Sequence, residues 1–149
     1  MTKTEFLTSL RTDNGVEVRP NTAALTVRDA RHRAAVVQTL DVMLPEEEEI
    51  FEGVEIQEAA PMTWLLVLRR SLALVRLEPE NSFSTATVTL YGLRDRHLAM
   101  AARYDGNHAL VEAAIEGLPD GIETARLSPT RVVRLVRALT AAIERAAER

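Results

Sequence analysis

No cysteine occurs in this chain of 149 residues. That absence removes a disulfide framework, a thiolate nucleophile and every zinc site of the cysteine type. Lysine is almost as scarce: Lys3 is the only one among 18 cationic residues, and the other 17 are arginines. It falls in what reads as a mobile N-terminal segment, which leaves no lysine for a Schiff base, a general base or a phosphate clamp. The arginine excess itself reads as codon bias in a GC-rich genome. Aromatic residues make up 4% of the chain, too few for the stacking platforms of single-strand nucleic-acid binders. The glycines are isolated from one another, so the chain has neither a phosphate-cradling loop nor a dinucleotide fingerprint, and no Gly-x-Ser-x-Gly elbow. Its apolar runs are far too short to span a bilayer, and Met1-Thr2-Lys3-Thr4-Glu5 lacks a cationic region followed by a long apolar run. A cytoplasmic location with no membrane contact is the expectation.

Ionisable groups offer little more to a chemist. His32, His97 and His108 are separated by more than four residues, so no metal-ligand pair exists at helical spacing. Asp95, Asp105 and Asp120 fall in turns, where aspartate serves the backbone. The net charge of −4 argues against general attraction to nucleic acid or anionic lipid. The sequence therefore predicts no cofactor, no metal and no catalytic residue.

What the chain does contain is enough apolar material, 46% of residues, for one domain covering residues 1–149. Its centre is a β pattern. The run Trp64 to Leu68, a break at Arg69-Arg70 and the run Leu72 to Leu77 predict a hairpin of Met62–Leu68 and Ser71–Leu77, with the first strand apolar on both faces and central in a sheet. After a turn at Glu78 to Ser82, an alternating segment places Thr85, Thr87, Thr89 and Tyr91 on one face and Ala86, Val88 and Leu90 on the other. Ile50, Glu52, Val54 and Ile56 alternate as a further strand, Val16 to Val27 reads as one or two more, and Ile122 to Leu127 as a brief one. Leu93 to Tyr104 fits both periods, and its alanine content tips the reading to helix.

The predicted helices are Thr4–Leu10; Val27–Leu44, opened by a capping box at Thr26 and Asp29; Ala109–Gly117; and a long C-terminal helix capped by Ser128 with Pro129 at its first position. Along that last helix Val132, Val136, Leu139, Ile143 and Ala146 recur every three or four residues. Packing on the protein's own sheet and a seam with another helix both call for such a stripe. The composite expectation is an α+β fold: a mostly antiparallel sheet of about five strands, packed on one face by amphipathic helices. The threonine face is left open, which predicts a homodimer.

Charge is polarised: seven glutamates and no cation lie between Pro45 and Ala60, so the remainder of the chain carries a net +3. Glu47, Glu48 and Glu49 are candidate contacts for a basic partner. Arg131, Arg134 and Arg145, on one flank of the last helix, are candidates for an acidic one. With chemistry absent, the leading function is non-enzymatic binding of another protein as adaptor, chaperone or inhibitor. The alternative is a small-molecule sensor or unrecognised enzyme, with a pocket between sheet and helices lined by Trp64, Tyr91, His97 and Tyr104.

Overall fold

Strand β4 (Met62–Leu68) organises the molecule, because, Thr63 apart, its residues are apolar whichever way they point. Successive side chains of a strand leave opposite faces. Trp64, Leu66 and Leu68 therefore enter one core and Leu65 and Val67 another, all of them at most 1% exposed. The computed structural model that shows this describes residues 1–12, 26–27, 30–56, 62–80, 83–116, 122–124 and 126–148.

In chain order the elements are α1 (Lys3–Ser9), β1 (Arg11–Thr12), β2 (Thr26–Val27), α2 (Ala30–Met43), β3 (Ile50–Glu55), β4, β5 (Ser71–Glu80), β6 (Phe83–Gly92), β7 (Leu98–Asp105), β8 (His108–Ile115), β9 (Ile122–Glu123) and α3 (Pro129–Ala147). Antiparallel strands form a four-stranded sheet in the order β3-β4-β5-β6 and a three-stranded sheet in the order β7-β8-β9, while β1 and β2 pair in parallel. An isolated bridge between Ile56 and Thr124 joins the β3 side of the larger sheet to the β9 side of the smaller. The fold is α+β, as the pattern predicts, with the strands divided between two antiparallel sheets.

The helices divide between the faces rather than sharing one. Phe6 and Leu7 of α1 with Val36 and Leu40 of α2 join Trp64, Leu66, Ala73 and Val75 in the first cluster. Val132, Leu135, Leu139, Ala142 and Ala146 of α3 join Leu65, Val67 and Leu72 with Val111 and Ile115 of β8 in the second. The reason is β4: a strand apolar on both sides needs a cover on each. The buried line of α3 also runs one position off the sequence stripe, through Leu135 and Ala142, leaving Val136 and Ile143 at its margin.

Two predicted helices are strands. Leu98 to Asp105 and His108 to Ile115 form the β7–β8 hairpin, with Tyr104 opposite Ala109 and Leu98 opposite Ile115. Burial along β8 follows period two, with Ala109, Val111, Ala113 and Ile115 inside. Gly106 makes the turn at φ +60°, and a Cβ there would meet nothing within 4 Å, so the backbone angle alone selects glycine. A two-residue loop with glycine first and in the left-handed region matches hairpin geometry. Alanine's helix preference is worth only a few tenths of a kcal/mol per residue against most others, and the alternation decides.

Smaller corrections follow the same logic. Thr26 lies in β2, so the helix starts at Ala30 and not at a capping box on Thr26. In β3 the register shifts between Ile50 and Glu52, so Ile50 joins the first cluster while Val54 joins the second, although their spacing predicts one face; an extra residue in a strand reverses the faces beyond it. The strand signals of Val16 to Leu25 lie outside the described residues.

Candidate functional site

The charged candidates sit inside the protein's own architecture. Arg131 donates to the carbonyl of Gly53 at 3.0 Å, and Arg134 Nε meets Glu52 Oε2 at 3.1 Å. Arg145 donates to the Arg69 carbonyl at 2.7 Å and stacks 4.1 Å above the Phe51 ring. The three arginines thus fasten α3 to β3 and to the β4–β5 turn. Glu52, whose side chain is 3% exposed, also accepts from the Gly53 amide, so its charge is doubly matched. Glu48 accepts from the backbone amides of Glu49 and Arg69, and Glu49 pairs with the Arg69 guanidinium at 3.0 Å. Glu47 is exposed.

Two cations have roles that the sequence reading missed. Lys3 opens α1 and is 4% exposed, not part of a loose tail, and its ammonium donates to the carbonyls of Asp41 and Leu44 while pairing with the Asp41 carboxylate. Arg33 donates to the carbonyls of Leu7 and Leu10. Each helix of the α1–α2 pair thereby supplies a cation to the C-terminal carbonyls of the other, where the helix dipole favours positive charge. The signal lay in the solitary lysine: an exposed position would tolerate arginine, whereas three oxygens at 3.1–3.2 Å around a compact ammonium favour lysine.

The predicted aromatic pocket does not assemble. Trp64 is fully buried in the first cluster, with its indole N–H lacking an acceptor, whereas Tyr91 packs on the margin of the second, across the sheet. His97 precedes β7 and Tyr104 is its next-to-last residue, roughly 23 Å away at the rise of a strand. Tyr104 instead lines an open cavity of about 220 Å³ with Arg103, His108, Ala109, Leu110 and Arg126. Arg103 is itself paired with Glu112 and Glu123 at 3.0 and 3.1 Å. A second cavity of about 290 Å³ opens between α1 and β3, over Phe6, Phe51 and Arg134. Among the described residues no group of His, Asp or Glu could hold a metal ion, and no helix is long and apolar enough to cross a membrane.

The feature left without a structural role is the outer edge of β6. This ten-residue strand has β5 on one side, and among the described residues no strand on the other. From Asn81 to Leu93 the chain has no charge and no proline, the devices that normally blunt an edge. Leu93 N–H donates to the Arg70 carbonyl, continuing the β5–β6 register. Such bonds recur at alternate residues of an antiparallel ladder, so the N–H and C=O of Ala86, Val88 and Leu90 point away from β5. Leu90 is 43% exposed beside them, and Thr87 and Thr89 are exposed on the α3 side of the sheet, beyond the ground α3 covers over β3, β4 and β5.

No protein family, curated protein or solved structure matches this chain.

Proposed function

We propose that this chain is a non-enzymatic protein-binding module of the bacterial cytoplasm, of the adaptor, chaperone or inhibitor type, which holds an extended stretch of another polypeptide against β6. The edge of that strand, uncharged and, among the described residues, unpaired, carries the reading. An exposed row of backbone donors and acceptors binds a further strand with affinity that does not depend on a catalytic group. The acidic run and the α3 arginines support it indirectly, because their bonds within the chain hold the sheet that presents the edge. A second copy of the chain is the competing partner for this region.

A photo-crosslinker placed at position 90 should join this protein to another polypeptide in the cell, and one at the exposed Val133 of α3 should not. A sensor or enzyme acting on a small anion is the second reading, favoured by the cavity between Arg103, Tyr104, His108 and Arg126. Absence of adducts from position 90, together with a thermal shift produced by one metabolite, would replace the first reading by the second.

A further inference from the structure

We infer that the segment held at β6 is uncharged and extended, with apolar residues at alternate positions, and that it seats between the free edge of the strand and the flank of α2; this rests on the strand-addition reading. The argument begins with parity. Ala86, Val88 and Leu90 turn their backbone groups outward, and the same residues turn their side chains toward α2. Leu90 lies opposite Ala73 and Val88 opposite Val75, and both of those partners belong to the core beneath α1 and α2. Residues opposed across an antiparallel pair share a face. An added strand therefore sets every second side chain beside Ala86, Val88 and Leu90, extending the first core outward. Its intervening side chains fall beside Thr87 and Thr89.

Burial specifies the chemistry. Ala86 and Val88 are half-buried against the core, whereas Leu90 is 43% exposed, so the apolar surface is continuous but its margin is uncovered. A charged side chain entering there would lose water next to Leu90 and meet no counter-charge on the strand. An apolar one gains burial.

Geometry separates a foreign segment from a second copy. α2 lies chiefly over β6. Two copies paired antiparallel along the whole strand, which puts both α2 helices on one face, would stand them about one strand spacing apart, roughly 5 Å, whereas packed helices keep about 8–10 Å. A segment with no helix above it meets no such obstacle.

The test uses the full chain and two synthetic peptides carrying a polyethylene glycol tail, one of ten alternating Thr and Val residues and one with Lys in place of each Val. The Thr-Val peptide should slow amide hydrogen exchange at Ala86, Val88 and Leu90. The Lys peptide should bind at least about tenfold more weakly, and Leu90→Pro, which removes an outward N–H, should weaken the Thr-Val peptide by about as much. Leu90→Lys serves the same end should the proline variant misfold. Equal affinity of the two peptides would overturn the inference, as would binding indifferent to both Leu90 variants, or slow exchange of the three amides in the free monomer. A dimer dissolved by Leu90→Lys would assign the edge to a second copy and equally overturn it. Crosslinks from position 90 without preference between the peptides would overturn this inference and leave the protein-binding reading standing.

Discussion

The two edges of the four-stranded sheet are treated in opposite ways. Along β3, the Met1 carbonyl accepts from Ile50, Thr2 bridges Glu49, Thr124 bridges Ile56, and Arg131 and Arg134 of α3 bind Gly53 and Glu52. Along β6, the sequence supplies threonine, alanine, valine and leucine with no charge at all. Edge β7 of the smaller sheet resembles the first case more than the second, since it is shorter and carries Arg103 and Asp105 within it. A free strand with high β-propensity and no gatekeeper is an aggregation hazard. That one edge is fastened with ion pairs while the other, among the described residues, is left bare is the contrast on which the proposed binding role rests.

The sharpest way to break this comparison is proline at adjacent positions of β6. Thr89 lies opposite Leu74 with its N–H toward β5, so Thr89→Pro should destabilise by about 3 kcal/mol or more, whereas Leu90→Pro should cost under about 1 kcal/mol. Denaturant unfolding of the two variants checks this, and equal losses would mean that the outer side of Leu90 is also paired. At the fastened edge, Arg134→Ala leaves Glu52 buried without its cation and should cost about 2–4 kcal/mol by the same measurement. The double variant Glu52→Leu with Arg134→Leu should recover most of that loss, because an apolar pair removes the stranded charge.

Next in size is Lys3→Met, which keeps the bulk of the side chain but abandons the carbonyls of Asp41 and Leu44. A loss of about 1–3 kcal/mol is expected from thermal melts, with faster amide exchange concentrated in α1 and the end of α2. The smallest effect on stability belongs to Leu90→Lys, within about 0.5 kcal/mol as for most exposed positions. Its effect should appear in partner binding, read by the position-90 crosslink moved to Thr89.

Where the hydrophobic period was strong, the sequence was legible. The β4–β5 hairpin about Arg69-Arg70, the strand from Phe83, and α3 with Ser128 accepting from the Arg131 amide stand where their patterns put them, except that β5 runs on to Glu80, so Glu78, Pro79 and Glu80 pair with β6 instead of turning. The failures share a cause. In Leu98 to Asp105 and His108 to Ile115 the alanines suit a helix, but alternate residues of β8 had an apolar partner in α3, and burial outweighed propensity. The shift at Ile50 and Glu52 was invisible because a bulge leaves no mark in composition. For the candidate site, the uncharged run from Asn81 to Leu93 was visible, yet only as a threonine row. That it forms an edge depends on which strands find neighbours.

By itself the sequence determined the class of the fold, the central place of β4 and the residues able to bury, because side-chain period and hydrophobicity are local properties. Tertiary structure alone decided that α2 and α3 take opposite faces, that Lys3 and Arg33 cross-cap a helix pair, and that Arg131, Arg134 and Arg145 of α3 bind β3 and the β4–β5 turn. Those outcomes depend on contacts between residues far apart in the chain, whose geometry exists only once the sheet is assembled.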